Sequence, residues 1–268
     1  MKATKGPTAK DYMSSPVYTA SANAMLTEVD RLMQEQDVSA LVVEDRDGSP
    51  AGVISRSDLI KASRGVETSG RFRTLELPET LARAVMTVDP IVVAPDESLA
   101  RAARIMPKQH IHRVFVEQDG ELVGVVAAHD VTCAVRDTRL STPLAEVMSK
   151  SLVTVQASES MDLVVERLSA AHKHGLVVLD GEWPVGAITQ RDLLIAQHWP
   201  ASSSVEDWMS PRVLSLPGGM PAFRAAAHAL AMNVAQILVM SDQGFEGIVT
   251  SIDFARSYAR DSAKSEAA

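Results

Sequence analysis

Residues 186–192 read GAITQRD, and a run of the same form occurs three more times along the 268-residue chain. In every run a glycine and an aspartate keep one separation, and an apolar residue follows the glycine. The four runs are GVISRSD at 52–58, GVVAAHD at 124–130, GAITQRD at 186–192 and GIVTSID at 247–253. Repetition at a nearly constant period indicates several similar structural units.

A second phrase that opens with methionine precedes each run at a nearly equal distance. The four phrases are YMSSPVYT around Met13, VMTVDPIVV around Met86, VMSKSLVTV around Met148 and WMSPRVLSL around Met209. Together the two phrases divide almost the whole chain into four repeats of similar size.

The apolar pattern changes from helical to strand period in the same order in every repeat. In repeat 1, for example, Met25, Val29, Leu32 and Met33 have the spacing of a buried helical face. A short apolar run, a turn rich in Asp and Gly, and a second short strand at the repeated glycine come next, which predicts a hairpin. Each repeat is therefore predicted to be strand, helix, strand, strand, helix.

Composition narrows the class of protein. A 46% hydrophobic share with 22% charged residues is typical of a globular core. The formal charge of -8 and the lack of a basic run with interleaved aromatics argue against nucleic acid as a partner. The sequence shows no secretion signal and no uncharged run of bilayer length, and Cys133 is its single cysteine. We therefore expect a cytoplasmic location and no membrane partner.

The glycine–aspartate runs, the methionine phrases and the order of predicted elements together make each repeat resemble the CBS domain, a family named after cystathionine beta-synthase. The resemblance extends from about residue 11 to residue 259 and implies an α/β fold of four CBS units. In that family two successive units pair into a pseudo-symmetric module. The resemblance thus implies a first module at 1–142, with units at about 11–64 and 84–137. The second module would span 143–268, with units at about 146–198 and 207–259.

The family is known as a regulatory sensor whose clefts between paired units take AMP, ADP, ATP or S-adenosylmethionine, and NAD belongs to the same class of adenosine compounds. The resemblance implies a regulatory ligand of this kind, with no required cofactor and no enzymatic activity. The ribose-binding signature of the family ends in Ser or Thr, two further residues and Asp. The signature falls on Ser55 with Asp58, Thr189 with Asp192, and Thr250 with Asp253. A carboxylate can accept hydrogen bonds from both ribose hydroxyls, so the chemistry agrees.

The same residues have a purely structural interpretation. Ser or Thr followed three residues later by an acid, at the start of a helical pattern, is also close to a capping box. Repeat 2 does not separate the two interpretations, because Ala127 lacks a hydroxyl and leaves only Asp130. The sequence leaves both interpretations open.

Candidate cations for ligand phosphates are Arg56 and Arg191, inside the signature, and Arg113, which opens a strand beside His112. His110 with His112, and His172 with His174, occupy equivalent positions of repeats 2 and 3. Two histidines do not complete a tetrahedral zinc site, so we expect no metal and a polar lining role instead.

The predicted function is a stand-alone regulatory protein that signals ligand occupancy to an unidentified partner protein. Either its modules pair within the chain or the protein forms a homodimer. One alternative is a ligand-free interaction scaffold. A less favoured alternative is a regulatory protein related to the IMP dehydrogenases. Those enzymes have a catalytic barrel, and we expect none here because the four repeats occupy nearly the whole sequence.

Overall fold

The computed structural model describes residues 6–63, 76–171, 174–196, 203–242 and 244–266. Repeats 1 and 2 have the predicted order of elements. The elements of repeat 1 are β1 Thr19–Ser21, α1 Leu26–Glu35, β2 Ala40–Glu44, β3 Pro50–Ser55 and α2 Arg56–Ser63. Those of repeat 2 are β4 Val92–Val93, α3 Leu99–Lys108, β5 Arg113–Gln118, β6 Glu121–Ala127 and α4 Ala128–Asp137.

Repeats 3 and 4 have the same order. The elements of repeat 3 are β7 Thr154–Gln156, α5 Met161–Ala170, β8 Gly175–Asp180, β9 Trp183–Thr189 and α6 Gln190–Ile195. Those of repeat 4 are β10 Leu214–Pro217, α7 Ala222–Met232, β11 Gln236–Ser241, β12 Gly244–Thr250 and α8 Ser251–Glu266. One further helical turn precedes each of the four methionine phrases. These turns are Ala9–Tyr12, Ala82–Ala84, Leu144–Val147 and Val205–Asp207.

Each repeat forms its own three-stranded sheet. The first strand runs parallel to the second, and the second pairs antiparallel with the third, as in the order β1-β2-β3. The turn glycines of the hairpins adopt positive φ, for example +82° at Gly48 and +85° at Gly120, where residues with a side chain are strained. The predicted α/β fold of four units is confirmed.

The described chain divides into two compact units, each with its own hydrophobic core. The first compact unit contains the described parts of 1–17, 91–152 and 213–268, and therefore repeats 2 and 4. The second compact unit contains the described parts of 18–90 and 153–212, and therefore repeats 1 and 3. Each compact unit thus takes one repeat from each of the modules expected at 1–142 and 143–268, and that pairing into modules stays a prediction.

The methionine phrases explain why the chain crosses between the two units. Each phrase packs on a different repeat from the one it precedes in sequence. The residue that follows the methionine forms an antiparallel bridge with the residue that follows the repeated glycine of that other repeat. The four bridges are Ser14 with Val125, Thr87 with Val53, Ser149 with Ile248 and Ser210 with Ala187. The phrase before repeat 1 therefore packs on repeat 2, and the phrase before repeat 3 packs on repeat 4.

The repeated glycine and the repeated methionine are in contact. A Cβ placed on Gly124 would lie 2.5 Å from Met13 Sδ, and one on Gly247 would lie 2.6 Å from Met148 Sδ and 2.9 Å from the carbonyl oxygen of Ser149. Carbon atoms cannot approach so closely, so only glycine leaves room for the incoming phrase. The two signals that repeat in the sequence are thus the two sides of one packing contact.

Most of the predicted helical face of repeat 1 is buried, with one exception. Val29 and Met33 lie in the core, and Leu32 packs partly buried against it. Met25 is 36% exposed because it is the residue that precedes the first turn of α1 and stands outside the helical stripe. The expectation that Met25 belongs to the core was wrong.

Candidate functional site

Each repeated aspartate lies in the first turn of the helix that follows the hairpin, and it caps that helix. Its Oδ2 accepts a hydrogen bond from the backbone amide of the residue three positions earlier. The donors are Ser55, Ala127, Thr189 and Thr250, at 2.9, 2.7, 2.7 and 2.9 Å. In three repeats the Ser or Thr hydroxyl donates to the same atom at 2.7 Å. The aspartate half of the capping box is therefore present in all four repeats, and in repeat 3 the Thr189 hydroxyl also accepts from the amide of Asp192 at 3.5 Å. Ribose binding stays a prediction.

The second compact unit brings together the helix starts of repeats 1 and 3. The hydroxyl of Ser57 donates to Oε1 of Gln190 across 3.2 Å, which joins the first turn of α2 to that of α6. Arg56 and Arg191, predicted separately as phosphate cations, are therefore neighbours. Arg191 pairs with Asp37 at the surface.

Arg56 is the unusual member of this group. Its Nη2 is buried and has no hydrogen-bond partner among the residues that the structure describes. Burial lowers the pKa of its guanidinium, and the nearby charge of Arg191 lowers that pKa further. Arg56 as a whole is half-buried, but a buried donor such as its Nη2 is costly without an acceptor, because its desolvation is not offset by a hydrogen bond. An anion at this point would satisfy it.

The helix start of repeat 2 includes both residues predicted beside it. The carbonyl of His112 accepts a hydrogen bond from the amide of Ala128 at 2.8 Å, and Arg113 stands opposite Ala127 in the β5–β6 ladder. Burial raises the pKa of Asp130, although its hydrogen bond from the Ala127 amide acts in the opposite direction. The missing hydroxyl at Ala127 thus leaves a half-buried carboxylate with weak support.

Asp253 of repeat 4 is much more strongly held. Its Oδ1 accepts hydrogen bonds from the hydroxyl of Ser149 at 2.6 Å and from Nη1 of Arg256 at 2.8 Å. Because Oδ2 is occupied by the cap of Thr250, both oxygens are engaged, and Asp253 is only 4% exposed. A ribose at this aspartate would have to displace one of these donors.

Sequence reasoning missed Ser149 and Arg256 as partners of Asp253. A signal existed for each of them. Every methionine phrase has Ser or Thr directly after the methionine, and the residue three positions after the aspartate differs between repeats. In chain order that residue is Lys61, Cys133, Ile195 and Arg256. In repeat 1 the ammonium of Lys61 lies 4.0 Å from Oδ1 of Asp58.

Three further sequence expectations bear on the site. Among the described residues no group of three or more His, Cys, Asp or Glu side chains could hold a metal ion, and His172 lies outside those residues. Cys133 is half-buried, and burial raises the pKa of its thiol. Within the described ranges no helix is long and apolar enough to span a bilayer.

Comparison with known proteins agrees with the fourfold architecture. The family model described as CBS domain matches residues 9–65, 82–137, 144–198 and 205–260. An uncharacterized 33.4 kDa protein in a ribosomal RNA operon of Thermofilum pendens is 29% identical over 223 residues, which is 77% of this chain and 68% of that protein. An inosine-5'-monophosphate dehydrogenase of Korarchaeum cryptofilum is 31% identical over 125 residues, which is 46% of this chain and 23% of the dehydrogenase.

Among solved structures, protein MJ1225 from Methanocaldococcus jannaschii superposes with a TM-score of 0.81. The match covers 94% of this chain and 100% of that chain, at 15% sequence identity. At this level of identity the likeness shows the shared fold alone.

Proposed function

This chain belongs to the CBS domain family, and from that membership we propose that it is a regulatory protein that binds a phosphorylated adenosine ligand and signals its occupancy to a partner protein. AMP, ADP, ATP and NAD belong to this ligand class. S-adenosylmethionine is the less favoured ligand, because it brings a positive charge and no phosphate.

The observation that carries the proposal is the buried, unpartnered Nη2 of Arg56 beside Arg191. The charge of Arg191 disfavours a second cation beside it, although the carboxylates of Asp37, Asp30 and Asp192 partly offset this effect on Arg56. A phosphate at Nη2 of Arg56 would supply the missing acceptor and could also accept from Arg191. The Asp192 carboxylate is near enough to influence the pKa of Arg56. A ligand that reaches both the arginines and a capping aspartate needs a phosphate and a hydroxyl-bearing part, as a nucleotide has.

The aspartates supply the second half of the proposed site. In repeats 1 and 3 the cap occupies Oδ2 of Asp58 and of Asp192. We assign Oδ1 of each carboxylate to the ribose hydroxyls, which can both donate to it. In repeat 4 both oxygens of Asp253 are engaged, and in repeat 2 the hydroxyl beside Asp130 is missing. The proposal therefore places the tightest binding in the second compact unit.

The remaining parts of the proposal concern the protein as a whole. A regulatory role requires that the ligand prefer one arrangement of the protein over another. The partner protein, the homodimer or internal pairing of modules, the cytoplasmic location and the lack of catalysis stay predictions.

The first experiment is a thermal shift screen with AMP, ADP, ATP, NAD, S-adenosylmethionine and adenosine. A ligand at a hundred times its Kd stabilises the folded state by about 2.7 kcal/mol. For a chain of this size that raises Tm by roughly 5–10 °C. We expect such shifts with the phosphorylated compounds and smaller ones with S-adenosylmethionine and adenosine.

The matched variants are Arg56→Gln and Arg31→Gln. Arg31 lies in the same compact unit but is exposed and pairs with Glu35 on its own helix. Calorimetry should show that Arg56→Gln weakens the binding of AMP at least roughly ten-fold, the effect of a lost charged hydrogen bond. The affinity for adenosine, which has no phosphate, should stay unchanged. Arg31→Gln should bind as the wild type does. If none of the compounds shifts Tm, the scaffold alternative replaces the proposal.

A further inference from the structure

A groove on the first compact unit runs between helices α3 and α8 and has no role in the proposed nucleotide site of repeats 1 and 3. Its volume is about 470 Å³. Three arginines and three small or apolar residues line it: Arg104, Arg256, Arg260, Pro107, Ala259 and Ala263. The described residues that line it include no acid, although the chain as a whole carries a formal charge of -8.

The three arginines are open to solvent and only partly neutralised. Arg104 is exposed and makes no ion pair or side-chain hydrogen bond within the described part of the chain. The Arg260 side chain is 44% exposed, and its Nε lies 3.6 Å from Asp261, a carboxylate that already accepts from the hydroxyl of Thr142. Arg256 is 55% exposed and pairs with Asp253. The groove therefore presents positive charge outward.

The apolar part of the groove favours a peptide over a small anion. Pro107, Ala259 and Ala263 offer no hydrogen-bond donor to a phosphate through their side chains, but they leave space for an apolar side chain. Arginines around such a surface match carboxylates that flank one or two apolar residues.

We propose that this groove is the docking site for an acidic segment of the regulated partner protein, and that Arg256 links docking to occupancy of Asp253. The docking part stands on the groove alone, whereas the link rests on the proposed function.

The link follows from the two roles of Arg256. Its Nη1 donates to Oδ1 of Asp253 across 2.8 Å, and its side chain also lines the groove. At saturating ligand, a ribose that binds this weaker site displaces the guanidinium from Oδ1, and Arg256 can then pair with a carboxylate in the groove. Binding free energies couple reciprocally, so ligand and acidic segment strengthen each other. Because an exposed ion pair contributes at most about a five-fold effect, we expect coupling of roughly that size.

Docking is tested by fluorescence anisotropy with a labelled synthetic peptide in which glutamates surround two leucines at i and i+4 spacing. A peptide with glutamines in place of the glutamates is the matched probe. We expect the acidic peptide to bind, with affinity that falls as salt rises. Arg104→Glu and Arg260→Glu should each weaken binding of the acidic peptide at least roughly ten-fold.

The control variant is Arg101→Glu. Arg101 lies on the same helix α3, outside the groove, where it is 60% exposed and pairs with Glu97 at 3.2 Å. It should bind the acidic peptide as the wild type does. Equal binding of the glutamine peptide, or equal loss in Arg101→Glu, would overturn the docking site.

Two other occupants are outcomes of the same set of experiments. Tighter binding of a single-stranded oligonucleotide than of the acidic peptide would overturn the proposal in favour of nucleic acid. Sedimentation that shows a dimer in the wild type and a monomer in Arg104→Glu would assign the groove to a second copy of the chain instead.

The link to Asp253 is tested by repeating the peptide titration with saturating AMP. We expect roughly five-fold tighter peptide binding in the wild type and no change on adding AMP in Arg256→Gln. If calorimetry shows AMP binding but the peptide never binds, the groove proposal fails and the proposed function stands. If the peptide binds but AMP does not, the proposed function fails, and docking stands without the link.

Discussion

Repeats 2 and 4 lie in the same compact unit and have the same fold, yet their aspartates are in opposite situations. Asp253 is buried, and four hydrogen bonds reach its two oxygens from Thr250, Ser149 and Arg256. Among the described residues Asp130 accepts one hydrogen bond, from the Ala127 amide, and burial raises its pKa. The repeated motif thus specifies the helix start, while the residues around it decide whether the carboxylate is available.

The most severe test of this comparison replaces each aspartate by its neutral isostere. Asp253→Asn should lower the free energy of unfolding by roughly 3 kcal/mol, since hydrogen bonds to a charged group contribute about 1.5–3 kcal/mol each and an amide cannot accept at both positions. Asp130→Asn should cost less than about 1 kcal/mol, because the lost cap bond is offset by removal of a poorly supported charge. Chemical denaturation of both variants measures the difference, and equal losses would contradict the comparison.

A steric test addresses the contact between glycine and methionine that occurs in both repeats. Gly124→Ala and Gly247→Ala should each destabilise the protein by roughly 1–3 kcal/mol, the usual effect of overpacking, because the new methyl group meets Met13 or Met148. Thermal or urea unfolding measures the effect.

Gly219→Ala is the control for that test, since a Cβ at Gly219 has no heavy atom within 4 Å. Its stability should change by less than about 0.5 kcal/mol. If Gly247→Ala were as neutral as this control, the phrase around Met148 would not depend on the close approach described above.

The smallest effect is expected from giving repeat 2 the hydroxyl that repeat 4 has. Ala127→Thr should stabilise the protein by about 1 kcal/mol, since a hydroxyl at this position can complete the cap. The added hydrogen bond to the charged form should also lower the pKa of Asp130. Ala127→Val has nearly the same shape without the hydroxyl and is the matched control.

The stability difference between Ala127→Thr and Ala127→Val should depend on pH. A carboxyl whose folded-state pKa is raised favours folding when protonated, and that contribution is lost as the pH rises through the folded pKa. Ala127→Thr should reduce this loss, so its advantage over Ala127→Val should grow as the pH rises above the ordinary range of aspartate. An advantage that is constant from acid to neutral pH would show that the new hydroxyl does not reach Asp130.

The sequence predicted the site unevenly. Ser55 with Asp58, Thr189 with Asp192, and Thr250 with Asp253 stand together at helix starts because their spacing is local. The meeting of Arg56 and Arg191 was beyond sequence reasoning, since it depends on how repeats 1 and 3 pack in one compact unit. Ser149 was missed for a related reason, because no local pattern states which repeat a methionine phrase packs on. Arg256 lies only three positions after Asp253, so that partner was within reach of the sequence.

The sequence by itself determined the fourfold α/β architecture, because apolar period, turn glycines and helix caps act between residues only a few positions apart. Tertiary structure alone decided the exchange of the methionine phrases and the grouping of repeats 1 with 3 and 2 with 4. It also decided which carboxylate is fully engaged, through contacts such as that between Ser149 and Asp253, which lie 104 positions apart. Contacts over such separations depend on the packing of whole repeats, and no local pattern encodes them.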